Sequence, residues 1–352
     1  MSKMNEYVIT PGETILELLE ENHITQVDLA SKLGLTKKTI NEIIKGKAAI
    51  TPETALKLEY VFGIPAHFWN QLESQYRETL LRQKEYEALL KETQYLKDIP
   101  YGEMVKRNWV EGTRDATEKV KNLRKFFSVA SLHFDTELKN KMAFRKADGK
   151  YFSFNALYCW IRYGEKESTK ETIENFDVEK LKKTVPKIRE LTKFPFLKKQ
   201  EEIKKRLASC GVFLVVEPCL PNTYVSGVSY KITANKALIM LSGRSNRDDS
   251  IWFTLFHEIA HLLKHSKKEI FIDYEKEENS EIEAQANHFS KNILINEIQY
   301  QEFVQNNDYS ESAIIAFAKK INVHTGIVVG RLQKDGYLAW STYNHLVLKI
   351  WE

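Results

Sequence analysis

His257-Glu258-Ile259-Ala260-His261 stands inside the oily run SIWFTLFHEIAHLLK, residues 250–264, and its reading decides the C-terminal half of the chain. Wound as a helix, Ile251, Trp252, Phe253, Leu255, Phe256, Ile259, Ala260, Leu262 and Leu263 leave almost no wet face, so the segment is expected to be buried. The polar exceptions, Thr254, His257, Glu258, His261 and His265, recur at three- and four-residue steps and form one stripe. Burying two imidazoles and a carboxylate without compensation is costly. A zinc ion compensates directly: two histidines four apart on one helix face are a metal-binding pair, and the intervening Glu258 lies beside the open coordination position as a general base. The competing reading is a buried helix whose histidines bond to carbonyls or carboxylates.

What separates the two is a third ligand candidate downstream. In EIEAQANHF, residues 281–289, Glu283 and Asn287 are four apart on a second helical pattern. Glu283 would complete a His₂Glu set with an open fourth position, the catalytic rather than the structural arrangement. Asn287, one turn later, would hold a ligand in place. Glu281 is a rival ligand; Glu283 is preferred because the Ala-Asn pair follows it.

The stretch from Leu241 through Asn296 resembles the ImmA/IrrE family of metallopeptidase-like domains. The resemblance lies in the lead-in RDDSIWFTLF (247–256), the HEIAH core and EAQANHFSKNILI (283–295), and it resumes from Phe317-Ala318 through HTGIVVGRLQ (324–333). Ala260 stands where family members usually carry Gly, and Asn296 and Thr325 stand where Pro is frequent. The resemblance implies a gluzincin-like zinc site with His257, His261 and Glu283 as ligands and Glu258 as base.

The N-terminal end has a different texture. Residues 12–62 read as short helices: Gly12–Glu21, then Gln26–Leu33 capped by Thr25 and stopped by Gly34, then Lys37–Lys45 capped by Thr36 and ended by Gly46, then a helix opened by Thr51-Pro52. Two short helices joined by a Gly-containing turn make a helix-turn-helix. In the third helix Ile40, Ile43 and Ile44 point inward, leaving Lys37, Lys38, Asn41, Glu42 and Lys45 outward, as a recognition helix presents its face to the major groove. Between residues 32 and 47 the lysines Lys32, Lys37, Lys38, Lys45 and Lys47 face Glu42 alone, although the surrounding domain is acidic. Such an edge, with Thr36 among its DNA-contacting candidates, supplies phosphate contacts, and base-edge contacts come from Thr39 or Asn41; a solvated lysine face is the plainer alternative.

Residues 25–73 resemble the HigA-type antitoxin branch of the Cro/CI-like helix-turn-helix proteins, through Thr25-Gln26, IIKGK (43–47), ITPETAL (50–56) and Phe68-Trp69. The resemblance implies a five-helix, lambda-repressor-like domain, and implies that Gln26, opening the second helix, touches the DNA backbone.

At 352 residues the chain holds two or three domains, and a mainly α multidomain fold is expected. The expected division is 1–75 for DNA binding, 76–200 for a helical middle, and 201–352 for the metallopeptidase-like part, an α+β domain. Residues 71–97 read as a charged helix broken at Ile99-Pro100; helices are expected at 115–130 and 154–163, and across 169–208 with breaks at Pro186 and Pro195. The aromatic-rich segment 151–165 reads as core rather than a base-stacking surface. Val212–Val216, Tyr224–Tyr230 and Ala237–Leu241 read as three strands of a small antiparallel sheet beside the zinc helix, with an edge for an extended peptide. His265 reads as a helix cap, and His324 as a candidate donor to a developing oxyanion.

The net charge of +4 is too weak to argue for nucleic acid by itself; the placement of the lysines carries that argument. Three scattered cysteines without a CxxC pair fit a reducing, cytoplasmic compartment, and neither a signal peptide nor a membrane span is read. Two functions remain open. In one, a zinc endopeptidase is tied to a DNA-binding domain that binds inverted-repeat operators as a homodimer, and cleavage of a regulatory protein, or of the chain's own Ile99–Met104 segment, changes transcription. In the other, an antitoxin-like or stress-sensing regulator uses its HExxH domain as a non-proteolytic sensor.

Overall fold

A computed structural model describes residues 10–132, 152–264, 271–274 and 281–351. The chain divides into two compact units, Met1–Gln94 with Asp115–Lys121, and Tyr95–Arg114 with Asn122–Glu352.

Among the described residues the regular elements of the first unit are helices: α1 (Pro11–Glu21), α2 (Gln26–Leu33), α3 (Lys37–Ile44), α4 (Pro52–Phe62) and α5 (Ala66–Glu92). The expected caps are in place. Thr25 accepts from the Asp28 amide at 3.2 Å and Asp28 returns the bond to the Thr25 amide at 3.1 Å, a reciprocal capping box. Gly34 ends α2 in the left-handed region at φ +65°, where a side chain would be strained. The core is built on Leu29, Ala55, Leu58 and Trp69, all fully buried, with Ile40 and Ile43 from α3. α1 lies so close to the end of α3 that a Cβ at Gly12 would come within 2.0 Å of the Ile44 carbonyl oxygen. α5 begins at Ala66, earlier than the charge pattern implied, and runs into a 3₁₀ turn at Thr93–Asp98.

The second unit contains α6 (Tyr101–Lys106), α8 (Phe154–Ser168), α9 (Val178–Arg189), α10 (Phe196–Ala208), β1 (Val212–Val216), β2 (Val225–Thr233), β3 (Lys236–Leu241), α11 (Asp248–Lys264), β4 (Phe271–Tyr274), α12 (Glu281–Leu294), α13 (Glu297–Gln305), α14 (Glu311–Lys320) and α15 (Thr325–Lys334). α7 (Ala116–Phe127) has residues in both units. Pro186 lies inside α9 and does not end it, contrary to expectation. The buried stripe Leu181, Val185 and Ile188 holds that helix to the core, while the proline itself faces outward. Pro195 does act as a boundary, standing immediately before α10. The aromatic segment is core as read: Leu157, Trp160 and Ile161 are buried in α8.

The sheet differs from the expected antiparallel one. Its order is β1-β3-β2-β4, with β1 and β3 parallel (Val212 opposite Ala237) and the other pairs antiparallel. β2 and β3 form a hairpin, and β3 then inserts beside β1 in the same direction, burying Ala237–Leu241 completely. Apolar runs of this length mark a buried strand but carry no information about its neighbour or direction.

A large buried cluster lies on one face of the sheet. Leu181, Val185, Ile188, Phe196, Ile203 and Leu207 from α9 and α10 belong to the same buried cluster as β1, β3, α11 and α12. The Phe196 amide donates to Asp248 Oδ1 at 2.7 Å, fixing the start of α11. Arg189 at the end of α9 donates to the carbonyls of Ile293 and Leu294 (3.2 and 3.0 Å) and of Ile321 and Asn322 (both 2.7 Å). It thereby satisfies the carbonyls left over where α12 and α14 end.

Candidate metal centre and nucleic-acid interface

α11 carries His257, Glu258 and His261 into the core, and α12 packs alongside it carrying Glu283. All four residues are between 0 and 3 % exposed. Glu283 is buried whereas Glu281 is exposed and takes a bond from Gln285 at 3.3 Å, so the packing places Glu283 with the histidines and leaves Glu281 outside.

One ligand atom from each of His257, His261 and Glu283 lies within 4.8 Å of the others. His257 Nε2 is 3.0 Å from His261 Nε2, and Glu283 Oε2 is 3.0 and 3.5 Å from them. A tetrahedral metal site with bonds of 2.0–2.1 Å sets ligand atoms about 3.3 Å apart, and these separations bracket that value. The donor chemistry agrees. Only one proton fits between two ring nitrogens, so three lone-pair atoms meeting at one point are matched better by a divalent cation than by protons. Burial works to raise the Glu283 pKa, but the hydrogen bonds and charges of His257 and His261 outweigh it and hold the carboxyl well below the usual range, keeping it an anion. The residues fit a zinc-type ion.

Glu258 is locked from the sheet side. A Cβ at Gly227 of β2 would lie 2.6 Å from Glu258 Oε1 and 2.7 Å from Thr254 Cγ2, so only glycine lets β2 approach. Gly227 is paired on one side with Leu241 of β3 and on the other with Asp273 of β4. The β2 side of the sheet is therefore covered by β4, and β1 and β4 are its edge strands.

A cleft of about 500 Å³ opens beside the triad, and Thr254, Glu283 and Asn287 are in its wall. Phe253, Leu294, Ile295, Ile327 and Trp340 make it largely apolar; Arg247, Lys291, Arg331 and Lys334 also reach it. Arg247 grips both oxygens of Asp249 at 3.1 and 3.2 Å, donates to Gln333 at 2.8 Å, and has Trp340 5.7 Å away over its guanidinium. Burial raises the Asp249 pKa against the pull of Arg247. Gly330 admits this pair, since a Cβ there would come within 1.9 Å of Asp249 Oδ2.

His324 is placed elsewhere. Its Nδ1 accepts from the Gly326 amide at 3.2 Å, capping α15, and it is not in the cleft wall. Burial lowers its pKa against the charge of Asp249, leaving a neutral ring with the proton on Nε2. Asn296 caps α13, accepting from the amides of Ile298 and Gln299. His265 lies outside the described residues. Sequence reasoning missed Gly227 and Trp340; neither carries a local pattern, because each matters only through what the fold brings to it.

In the first unit, Lys37, Lys38 and Lys45 are exposed along α3, and Gln26, Thr39 and Asn41 are half-buried. Thr36 is exposed and caps α3, accepting from the Thr39 amide at 3.1 Å, and the two hydroxyls are 2.9 Å apart. Lys38 stands 3.9 Å from Glu42, a loose surface pair. Arg77 of α5 braces the end of α3 by donating to the Gly46 carbonyl at 3.0 Å while paired to Glu73 at 2.6 Å.

A helix-turn-helix family model matches residues 15–69, and the model of the IrrE N-terminal-like domain, a metallopeptidase family, matches residues 211–333. The chain belongs to the helix-turn-helix family and carries an IrrE-like domain. The helix-turn-helix domain is similar to the uncharacterized HTH-type transcriptional regulator YddM of Escherichia coli, 34% identical over 64 residues, 18% of this chain and 68% of that protein. Among solved structures it is similar to the Pseudomonas aeruginosa antitoxin HigA with the higBA promoter (30% identity, 23% of this chain, 88% of that one, TM-score 0.22). An addiction module antidote protein of the HigA family from Coxiella burnetii is also similar (30% identity, 24% and 94% covered, TM-score 0.22). These similarities concern the helix-turn-helix domain, and the IrrE-like domain continues the chain beyond them. Among the described residues no single helix is long and apolar enough to cross a membrane.

Proposed function

We propose that this chain is a DNA-binding transcription regulator whose IrrE-like domain is a zinc-dependent endopeptidase acting on a regulatory protein. The carrying observation is the convergence of His257 Nε2, His261 Nε2 and a Glu283 oxygen, with Glu258 between the two histidines and a cleft against the triad. In this reading residues 1–75 bind DNA, 76–200 connect, and 201–352 cleave, in a cytoplasmic homodimer.

When bound, zinc would polarise a peptide carbonyl and make a water molecule more acidic. His257, His261 and Glu283 would hold the ion, and Asn287, one turn beyond Glu283, would steady the ligand helix at the cleft. Glu258 would take the proton from the attacking water and deliver it to the leaving amine. Its burial excludes bulk water from that carboxylate, and Gly227 and Thr254 restrict where it can move. On the DNA side, Lys37, Lys38 and Lys45 would contact phosphates, with Gln26 and Thr36 at the backbone and Thr39 and Asn41 near base edges. The chain's own Ile99–Met104 segment is a poor substrate, because Ile99, Tyr101 and Met104 are buried where α6 begins and an extended peptide cannot form without unfolding it.

Elemental analysis of the purified chain beside Glu283→Ala and Glu281→Ala tests the site. The expected result is about one zinc per chain, lost with Glu283→Ala and kept with Glu281→Ala. A wild type that binds no zinc even after addition overturns the peptidase reading. Glu258→Gln separates enzyme from sensor: an enzyme loses cleavage with metal retained, whereas a sensor regulates unchanged.

A further inference from the structure

The charged groups around the cleft beside the triad are committed to one another. Glu283 belongs to the triad, and Arg247 holds both oxygens of Asp249 at 3.1 and 3.2 Å. Lys291 stands 3.2 Å from Asp335. Arg331 shares Asp335 and reaches Glu297 at 3.3 Å, and Lys334 has a partner as well. Among the described residues the ions of the cleft are therefore balanced, and what it offers a ligand is hydrocarbon. Leu294, Ile295 and Ile327 are the buried part of its wall, with Phe253 half-buried beside them. The Phe253 ring centre is 6.1 Å from that of His257, so this apolar surface begins one ring away from a metal ligand.

Trp340 completes the wall from the solvent side. It is 59% exposed, yet its position is fixed. Buried Gln333 donates to the Thr342 carbonyl at 2.8 Å and to Asn344 Oδ1 at 3.2 Å, and Asn344 donates to the Trp340 carbonyl at 2.9 Å. Arg247 joins Gln333 at 2.8 Å, and its guanidinium lies 5.7 Å from the centre of the Trp340 ring. Further along, the Asp248 amide donates to the Leu348 carbonyl, and the Ile350 and Trp351 amides donate to Asn246 Oδ1. These bonds seat the end of the chain on the residues that lead into α11. Trp340 lies outside residues 211–333, which the IrrE-like model matches, so the family likeness assigns it no role. An aromatic ring held still at the mouth of an apolar cleft is a preorganised contact for a ligand, because little side-chain freedom is left to lose on binding.

We infer that the cleft selects a peptide with a bulky uncharged side chain, of leucine or phenylalanine size, beside the scissile bond, seated against Leu294, Ile295 and Ile327 and covered by Trp340. Its volume of about 500 Å³ lies within the range of sites that enclose most of an apolar ligand. Burying a charged side chain there would strip its hydration with no free counter-ion to replace it. This deepens the endopeptidase reading by naming its substrate class, and rests on it for the cleavage but not for the binding. Trp340 is a specificity residue in this account: it meets the substrate side chain and is neither a ligand nor the base.

The experiment uses the zinc-loaded full chain with Glu258→Gln, which binds without cutting, and dye-labelled alanine-based decapeptides carrying Phe, Leu, Ala, Glu or Lys at one central position. Binding is read from fluorescence anisotropy. The Phe and Leu peptides are expected to bind about tenfold more tightly than the Ala peptide, and the Glu and Lys peptides no more tightly than it. The ranking should hold as salt rises, since no ion pair contributes. Trp340→Ala should cut the preference for Phe over Ala about fivefold, and Trp340→Phe should keep most of it. Melting temperature and zinc content should stay unchanged in both variants, because the ring is exposed and lies off the triad. The ranking on the chain that keeps Trp340 decides the inference even if Trp340→Ala fails to fold. The same peptides are then offered to the wild type. Apolar preference in binding without cleavage leaves the inference standing and removes the peptidase reading. Cleavage and binding indifferent to the central residue overturn the inference and leave the peptidase reading intact. A preference for Glu or Lys, or no binding of any of the five, overturns the inference.

Discussion

Gly227→Ala is the sharpest test of how Glu258 is held. The new Cβ would sit 2.6 Å from Glu258 Oε1, 2.7 Å from Thr254 Cγ2 and 3.0 Å from Glu258 Cγ. Ordinary contact begins near 3.5 Å, so about 0.8 Å of movement is required. β2 cannot easily recede, being paired to β3 and β4, and Thr254 is anchored on α11, so the Glu258 carboxylate must move. Gly227 is not in the left-handed region, and alanine therefore brings steric conflict without backbone strain. Overpacking of this kind destabilises by about 1–3 kcal/mol, and displacing a reacting group by about 1 Å lowers turnover on the order of 100-fold. The assay has three parts: melting temperature, zinc content, and cleavage of a peptide that the wild type cuts. Zinc should stay, since none of the three ligands is among the atoms the methyl group meets. Combining Gly227→Ala with Thr254→Ser, which removes the second clashing carbon, should recover part of the stability. A Gly227→Ala chain with unchanged melting and full turnover would refute the claim that β2 confines the base.

Three further outcomes follow from residues outside the triad. Lys37→Ala with Lys38→Ala should weaken operator binding and reduce the slope of log affinity against log salt by about 2, one for each lost phosphate contact; an unchanged slope in a titration series means the lysines are merely solvated. Burial pushes the Asp248 carboxyl up to about 6, against the Phe196 amide bond that lowers it and with the Asp249 charge that raises it further. A pKa raised on folding contributes stability fully below about pH 4 that is lost as pH rises through 6. The wild type should therefore gain about 2 kcal/mol relative to Asp248→Asn on going from pH 7 to pH 4, and parallel denaturation curves across that window would contradict this. Arg189→Met should cost about 2–4 kcal/mol by stranding carbonyls at the ends of α12 and α14, with Arg189→Lys recovering little because an ammonium cannot span four acceptors; a mild loss in chemical denaturation would show that water replaces the guanidinium.

The triad was legible because its signal is local: His257 and His261 share a helix face, and the motif repeats a chemical demand at fixed spacing. The preference for Glu283 over Glu281 rested in the sequence on the Ala-Asn pair that follows it, and the physical ground is burial, which a run of alternating carboxylates does not report. The caps at Thr25, Thr36 and Thr51 were equally readable, since each is settled within four residues. Strand order was not, because Val212–Val216 would look the same beside either neighbour. Pro186 misled for a related reason: its penalty is local, but the apolar stripe that overrides it gains its energy from residues far along the chain. Trp340 belongs to the cleft only because Arg247 and Gln333 bring its segment there.

The shared core of α9, α10, the sheet and α11 sets the smallest piece of this protein that can fold around a metal. A fragment cut to residues 211–333 would follow the family match yet lose Leu181, Val185, Ile188, Phe196, Ile203 and Leu207 from its interior, and Arg189 from the ends of two helices. Such a fragment would expose the apolar face that α9 and α10 cover in the full chain, and would aggregate or stay molten. The cut that preserves the module must also spare α8, whose Trp160 donates to the Glu217 carbonyl at 3.0 Å and whose Gly164 lies so close to β3 that a Cβ there would come within 2.1 Å of Met240 Sδ. Insertions or domain exchanges should be refused within α8 and between α9 and β1.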